Sequence, residues 1–224
     1  MKRVLFIFLL FVTLFACTNK KSTHSSAAQT DSLLCELHER DQQIRHELMR
    51  VQRAFIAEQR AELVDSIVML VEEEERTDSL NRVVVDSLLQ NGWPEGLSEQ
   101  SNQTIWLIID HGDVEYQERY LPMIEQQAMR GIISLADYAT LSDRVNVRRQ
   151  RPQCFGTQTG YKQRDGEVFT FVYPIEDVDA LDSLRLSVGL DSMHHYLRQV
   201  SETLGTQVKI DPKLTWEEIE SFGE

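Results

Sequence analysis

Eight polar residues in the middle and C-terminal parts of the sequence have the types and order that chemistry requires: His111, Gln117, Asp143, Arg144, Gln153, Gln158, Glu176 and Asp177. A histidine exchanges protons near neutral pH, and a carboxylate beside it fixes its orientation. His111 with Asp143 or Glu176 is therefore the candidate catalytic set. An arginine fork backed by side-chain amides holds a carboxylate or a phosphate at two points, which makes Gln117, Arg144, Gln153, Gln158 and Asp177 candidate ligand-binding groups. The same residues also support a purely structural account. Arg144 can pair with Glu176 or Asp177, Gln117 and Gln158 can satisfy irregular backbone, and His111 can complement the negative end of a helix.

Other chemistries find less footing. His111 with Asp113, or the adjacent pair His194-His195, offers too few metal ligands at too poor a spacing, since neighbouring residues on a helix point about 100° apart. No Gly-x-Ser-x-Gly, Walker or dinucleotide glycine pattern occurs. Cys154 stands near cations that favour a thiolate but falls in no nucleophile motif. Neither a cofactor nor a metal is expected.

The elements that must position these groups are mostly helical. From Asp31, the residues Leu34, Leu37, Ile44, Leu48, Val51 and Phe55 recur at threes, fours and sevens, with no Gly or Pro before Gly92. That predicts one long helix to about Glu58. The apolar stretch Leu63 to Val71 runs into four glutamates, Glu72 to Glu75, which read as a solvated helix end because no turn chemistry orders them around a cation. Asp78 and Ser79 precede Leu80, Val84 and Leu88, and Asn91-Gly92 closes that helix. Ser98 is the expected N-cap of a helix carrying Ile105 to Ile109, apolar nearly all round and so the most buried. His111 falls in its last turn, Gly112 suits a left-handed cap, and Asp113 caps the next helix. There Val114, Gln117, Leu121, Ile124 and Ala128 share a face, with Gln117 its odd polar member. Pro122 predicts a kink or a fresh start, Gly131 a stop, and Ser134 with Asp137 a capping box for a helix bearing Tyr138, Leu141 and Val145.

Beyond that helix, Arg144, Arg148, Arg149, Arg151, Lys162 and Arg164 follow with no acid between the first and the last. They suit an anionic partner such as a cell-wall fragment, a phosphate or an acidic peptide, or else they neutralise the chain's own acids. Asp165-Gly166, flanked by β-branched and aromatic residues, predicts a hairpin with strands near 155–163 and 167–173. Two strands alone need a helix to pack on. Pro174 to Asp177 turns into a helix with Leu181, Leu184 and Val188 that stops at Gly189. Asp191 caps another, with Met193, Leu197, Val200 and Leu204 on one face, and Thr215 with Glu218 forms a last capping box.

The N-terminus has a different purpose. Met1-Lys2-Arg3, an apolar run to Phe15, and Leu14-Phe15-Ala16-Cys17 describe a secretory signal too short to span a bilayer. Leu-Phe-Ala-Cys is similar to the lipobox of bacterial lipoproteins, which implies cleavage before Cys17 and its acylation; the alternative is an ordinary signal with an incidental cysteine. Several acyl chains anchor a protein durably. On that resemblance Thr18 leaves both membranes open and favours the outer membrane of a Gram-negative bacterium. Loss of Lys2 and Arg3 takes the net charge from −13 to −15, which repels nucleic acid and anionic lipid head groups. Cys35 and Cys154 then remain, either as a disulfide or as two thiols.

Asp41 with Arg45, Gly92-Trp93-Pro94, Trp106 with His111, Gln117 with Leu121-Pro122, Asp143-Arg144-Val145, Gln153 with Phe155-Gly156-Thr157-Gln158, Pro174 to Asp177, Arg185, Val188-Gly189-Leu190 and Tyr196 stand in a joint order. That order resembles an uncharacterised bacterial domain family, classified only as a domain of unknown function and often found in secreted or lipid-anchored proteins. The resemblance covers residues 36–200. Members of that family carry Gln-His-Ala-Asp where this chain has Asp110-His111-Gly112-Asp113, and Tyr-Gly-Thr-Gln where it has Phe155 to Gln158. A role for an amide at 110 or a phenol at 155 is therefore not implied, and no reaction comes with the family.

The expected architecture is a mainly α, single helical domain with one small antiparallel β-hairpin, on a lipidated flexible tether. Its parts are a signal peptide (1–16), acylated Cys17 with a flexible tether (17–30), the helical domain (31–205) and a C-terminal tail with a short helix (206–224). The expected function is that of a lipid-anchored cell-envelope protein, its partners the membrane and a small anionic or peptide-like ligand held in a polar pocket. The alternatives are an envelope hydrolase using His111 with a nearby carboxylate, and an interaction module with no pocket. Convergence of the polar residues on a solvent-reached concavity favours the first two; mutual satisfaction in a dry core favours the third.

Overall fold

The computed structural model describes the backbone of residues 20–164, 167–205, 208–211 and 213–221. The expected signal peptide, Cys17 and the Asp165-Gly166 turn lie outside the described residues. Helix α1 spans Lys20–Glu58. It begins well before Asp31, so residues 20–30, expected as a flexible tether, form its first turns. Nothing in that stretch breaks a helix, and Ala27 lies against the Gly96 turn, 3.9 Å from where a Cβ at Gly96 would stand. Asp31 also accepts from the Ser98 amide and hydroxyl at 3.0 and 3.1 Å, which pins this end of α1 to the following layer.

After a 3-10 turn at Ala61–Leu63, α2 runs without interruption over Val64–Leu89. The four glutamates expected at a helix end sit inside it instead. Glutamate is a good helix former, and exposed pairs such as Glu73 with Arg76 suit the solvent face. Leu34, Leu37, Leu48 and Val51 of α1 form a buried face, as do Thr77, Asn81, Val85 and Leu89 of α2, and the two helices pack along each other. Each seam carries a buried polar residue, Asp41 on α1 and Asn81 on α2, the second accepting from Arg40.

Ser98 caps α3 (Glu99–Asp110) and Asp113 caps α4 (Val114–Met129), each side chain accepting the backbone N–H three residues on. Ile105, Trp106, Ile108 and Ile109 are buried, so α3 is the helix at the centre of the core; burying each isoleucine contributes roughly 1.5–3 kcal/mol. Gly112 does not take the left-handed conformation expected of it. It is needed for space: a Cβ there would lie 2.6 Å from Tyr116 Cδ1. Pro122 sits inside a continuous α4, forfeiting one backbone hydrogen bond without starting a new element. Helix α5 (Leu135–Arg148), capped by Ser134, pairs with α4.

A smaller apolar cluster of Val172, Leu181, Met193 and Val208 lies beside the hairpin. Strands β1 (Thr159–Arg164) and β2 (Glu167–Val172) pair antiparallel from Thr159↔Val172 to Arg164↔Glu167. Strand β1 starts at Thr159 rather than near 155, because the preceding loop folds around Asp143. Helices α6 (Leu181–Ser187), α7 (Met193–Leu204) and α8 (Trp216–Ser221) complete the chain. Ser192, not Asp191, caps α7, whereas the Thr215–Glu218 capping box is formed in both directions. Cys35 and Cys154 are both free thiols. Among the described residues no helix is long and apolar enough to cross a membrane.

Candidate functional site

His111 is the C-cap of α3, and its ring faces the α1–α2 seam rather than the hairpin. Its Nδ1 lies 3.0 Å from Asp41 Oδ1, a carboxylate whose side chain is only 1% exposed, while the imidazole keeps 19% of its surface in solvent. Arg45, one turn along α1, stands over both: its Nε is 3.1 Å from His111 Nδ1 and 3.6 Å from Asp41 Oδ2. The rest of its guanidinium reaches α2, at 2.5 Å from Glu74 and 2.9 Å from Asp78. Burial pushes the Asp41 carboxyl up, but the hydrogen bond and charge of His111 and the charge of Arg45 together hold it below its ordinary value. Asp41 is therefore ionised at neutral pH and fixes the ring, as a carboxylate orients a histidine that handles protons.

Donor atoms of Asp41, Asp78 and His111 all lie within 4.8 Å of one another, a set of two carboxylates and an imidazole with the chemistry of a divalent-metal site. The Arg45 guanidinium stands among them and supplies the positive charge at that point. The sequence-level metal candidates differ from this group: His195 lies 3.8 Å from Asp191, and Asp113 is engaged as the α4 cap.

Outside the ring, His111 lines a cleft of about 660 Å³ with Glu75, Asp78, Ser79 and Arg82 on the α2 wall and Gly112, Asp113, Val114 and Arg148 opposite. Of the basic run, Arg149 pairs with Glu115 and Glu118, and Arg151 with Glu118, while the side chains of Lys162 and Arg164 lie outside the described residues. Two arginines of the cleft, Arg148 of that run and Arg82 of α2, make other contacts. Arg148 donates to Gly112 O at 2.7 Å, and Arg82 contacts Ser79 Oγ at 3.3 Å while its guanidinium lies 5.9 Å from the Tyr116 ring centroid. Neither forms a salt bridge among the described residues. Burial first, then the neighbouring charge of Arg144, lower the pKa of Arg148 against the opposing charges of Asp110 and Asp113.

The remaining candidates lie beneath and behind the cleft. Arg144 pairs with Asp110, not with Glu176 or Asp177, and also reaches Gln158 Oε1 at 3.4 Å. Asp110 is nearly inaccessible, and burial raises its pKa against the opposing charges of Arg144, His111 and Arg148. Gln117, fully buried, donates to Asp110 O at 2.6 Å, which explains an amide on an apolar face. Asp110 Oδ1 and Gln117 Oε1 receive no hydrogen bond, a tolerated cost of about 1–3 kcal/mol each.

Asp143 and Gln153 hold the loop before β1. Asp143 accepts the Cys154, Phe155 and Thr157 amides at 2.8, 3.1 and 3.0 Å and the Thr157 hydroxyl at 3.0 Å. On the loop's other side Arg185, 1% exposed, donates to Phe155 O and Asp191 O, each at 2.7 Å, and lies 4.8 Å from the Tyr196 ring centroid. A buried anion thus gathers the loop's N–H groups and a buried cation its carbonyls. Gln153 Nε2 donates to Gln158 O and Tyr173 O, while its Oε1 accepts the Gln158 amide. Glu176 is exposed and accepts from Cys154 Sγ at 3.2 Å; burial first, then Glu176, pushes that thiol up to about 11, so nearby arginines do not make it a thiolate. Asp177 accepts the Asp179 and Ala180 amides at 3.0 Å, ahead of α6.

The eight candidates therefore do not share one spot. His111 reaches the cleft; Gln117, Arg144 and Gln158 form the layer beneath; Asp143, Gln153, Glu176 and Asp177 serve the loop and the α6 turn. Asp41, Arg45, Asp78 and Arg82 were missing from the candidate set. Asp41 had a legible signal, a carboxylate on the stripe Leu34, Leu37, Asp41, Ile44, Leu48, where an apolar residue is the rule. Its link to His111, seventy residues away, had none.

No curated protein and no solved structure matches the chain. A family model described as "Family of unknown function (DUF6624)" matches residues 28–209. With most of its length matched, the chain belongs to that family of unknown function.

Proposed function

We propose that this is a lipid-anchored cell-envelope protein, held through acylated Cys17 in the outer membrane of a Gram-negative bacterium, that binds a small anionic or peptide-like ligand in the His111 cleft. One observation carries the binding reading: in a chain of net charge −13, two arginines that form no salt bridge among the described residues, Arg82 and Arg148, line the same cleft as a histidine oriented by a buried aspartate. Guanidinium groups with donors to spare are the natural receivers of a carboxylate or phosphate. Isothermal titration of the full chain in detergent with N-acetyl-alanine and with inorganic phosphate tests it. Binding of either, lost in the Arg82→Gln/Arg148→Gln double variant, is the expected result; equal heats from both proteins, or none from either, would refute it. For the anchor, Cys17→Ser should release the chain from the detergent phase into the aqueous phase; unchanged partitioning contradicts it.

A second reading, an envelope hydrolase, is favoured by the His111–Asp41 pair. Nδ1 lies against the Asp41 carboxylate, and the Arg45 Nε stands 3.1 Å from Nδ1 and 3.4 Å from Nε2, so proton exchange at the ring would proceed with a carboxylate and a guanidinium both in contact with it. The expected partner carboxylates Asp143 and Glu176 have no part in it, since both are engaged around the loop before β1. Loss of turnover in His111→Ala with ligand affinity kept would establish this reading; affinity without any turnover in the parent chain would remove it.

A further inference from the structure

The chain leaves little length between Cys17 and the helical bundle. Only Thr18 and Asn19 separate Cys17 from Lys20, where α1 starts, a distance of about 10 Å at full stretch. Seven residues and about 10 Å further along the helix, Ala27 lies against the Gly96 turn, and one turn beyond it Asp31 holds Ser98. Acyl chains on Cys17 therefore keep this end of the bundle within about 20 Å of the hydrocarbon, and any tilt of α1 brings it into the head-group layer. A surface held that close needs only weak affinity for lipid to stay on it.

That end carries exposed apolar side chains. The turn at residues 93–97 shares a cavity of about 200 Å³ with Arg130 and Ile132, where α4 ends. Met129 is 71% exposed and Ile132 38%, while Trp93, Pro94 and Leu97 are half-buried. Tryptophan with large aliphatic side chains is the composition that enters the outer part of a bilayer. Glu95 and Glu99 are exposed on the same end, and a chain of net charge −13 gains nothing from anionic head groups, so a zwitterionic bilayer is the surface this face fits. We propose that residues 93–97 and 129–132 rest on the membrane that holds Cys17, with Trp93, Met129 and Ile132 among the head groups. The proposal rests on the acylation of Cys17 set out above and adds an orientation. The His111 cleft, at the other end of α3, then opens away from the bilayer.

Hydroxyl-radical footprinting of the acylated chain in liposomes of phosphatidylethanolamine and phosphatidylcholine tests it, with a control inside the molecule. Met69 is 69% exposed, as open as Met129, and stands near the far end of α1, which extends about 45 Å beyond Ala27. In Cys17→Ser without liposomes the two methionines should oxidise at comparable rates. In the acylated chain that floats with the liposomes, oxidation of Met129 should be largely lost while Met69 keeps its rate. Floating chain in which the two still oxidise alike overturns the docking and leaves the anchor standing. A chain that does not float with the liposomes overturns the anchor and the docking together. Protection of Met129 already present in Cys17→Ser without lipid would assign the face to a second copy and overturn the bilayer as its occupant.

Discussion

Replacing Asp41 by Asn tests whether the buried carboxylate works through its charge. The substitution keeps the volume of a side chain that is 1% exposed and removes the ion that holds His111 at 3.0 Å and contributes to the placement of Arg45. Arg45 retains Glu74 and Asp78, so the full cost of orphaning a buried cation, about 3–5 kcal/mol, does not apply. What is lost is chiefly one charge-assisted hydrogen bond, with relief from burying the ion set against the weakened Arg45 contact, for a net of about 2–3 kcal/mol. For a chain of this size that lowers Tm by about 4–12 °C. The pH dependence is the sharper readout. Because the folded carboxyl sits below its ordinary 3.8, its contribution is complete above that value and is lost as pH falls through the folded pKa. Urea unfolding of parent and variant, stepped downward from about pH 4, should show a gap that narrows as the folded carboxyl takes up its proton. A gap that persists down to the acid limit of folding would refute the reasoning, since the effect would then be one of shape.

Three further outcomes follow from the same contacts. Arg185→Met leaves the Phe155 and Asp191 carbonyls without their donor and should cost about 2–4 kcal/mol, with faster hydrogen exchange at the Cys154, Phe155 and Thr157 amides held by Asp143; unchanged protection there would detach Arg185 from the loop. Alkylation of Cys154 should stay slow near neutral pH and accelerate only toward about 11, and Glu176→Gln should advance that rise; a fast thiol at neutral pH contradicts the assignment. Gly112→Ala places a Cβ 2.6 Å from Tyr116 Cδ1 and should destabilise by about 1–3 kcal/mol in a thermal melt, whereas an unchanged melt would show that Tyr116 has room to move.

Helices and their caps were legible because they are local. Ser98, Asp113, Ser134 and the Thr215–Glu218 pair declare themselves within four residues, whereas at α7 the cap falls one residue late, on Ser192, and at Gly112 the expected left-handed cap does not form. What depended on contacts distant in sequence was not legible. The start of β1 was misplaced because Asp143 draws residues 154–157 into a loop that propensity would make a strand. The structural alternative pairs Arg144 with Glu176 or Asp177, whereas folding delivers Asp110 from the preceding helix layer. His111 is found by type, but its partners arrive from α1 and α2, where the traces were an aspartate on an apolar stripe and the place of Asp41 with Arg45 in the family's joint order, neither of which pairs them with the histidine.

In the proposed function the His111 cleft receives an anion through Arg82 and Arg148. NMR of the imidazole resonances, titrating the full chain in detergent with N-acetyl-alanine, tests it most directly. The expected result is a saturable shift of the His111 ring signals in the parent chain that disappears in Arg82→Gln/Arg148→Gln. Saturable binding that leaves the His111 signals in place, or a shift that survives loss of both arginines, would contradict it.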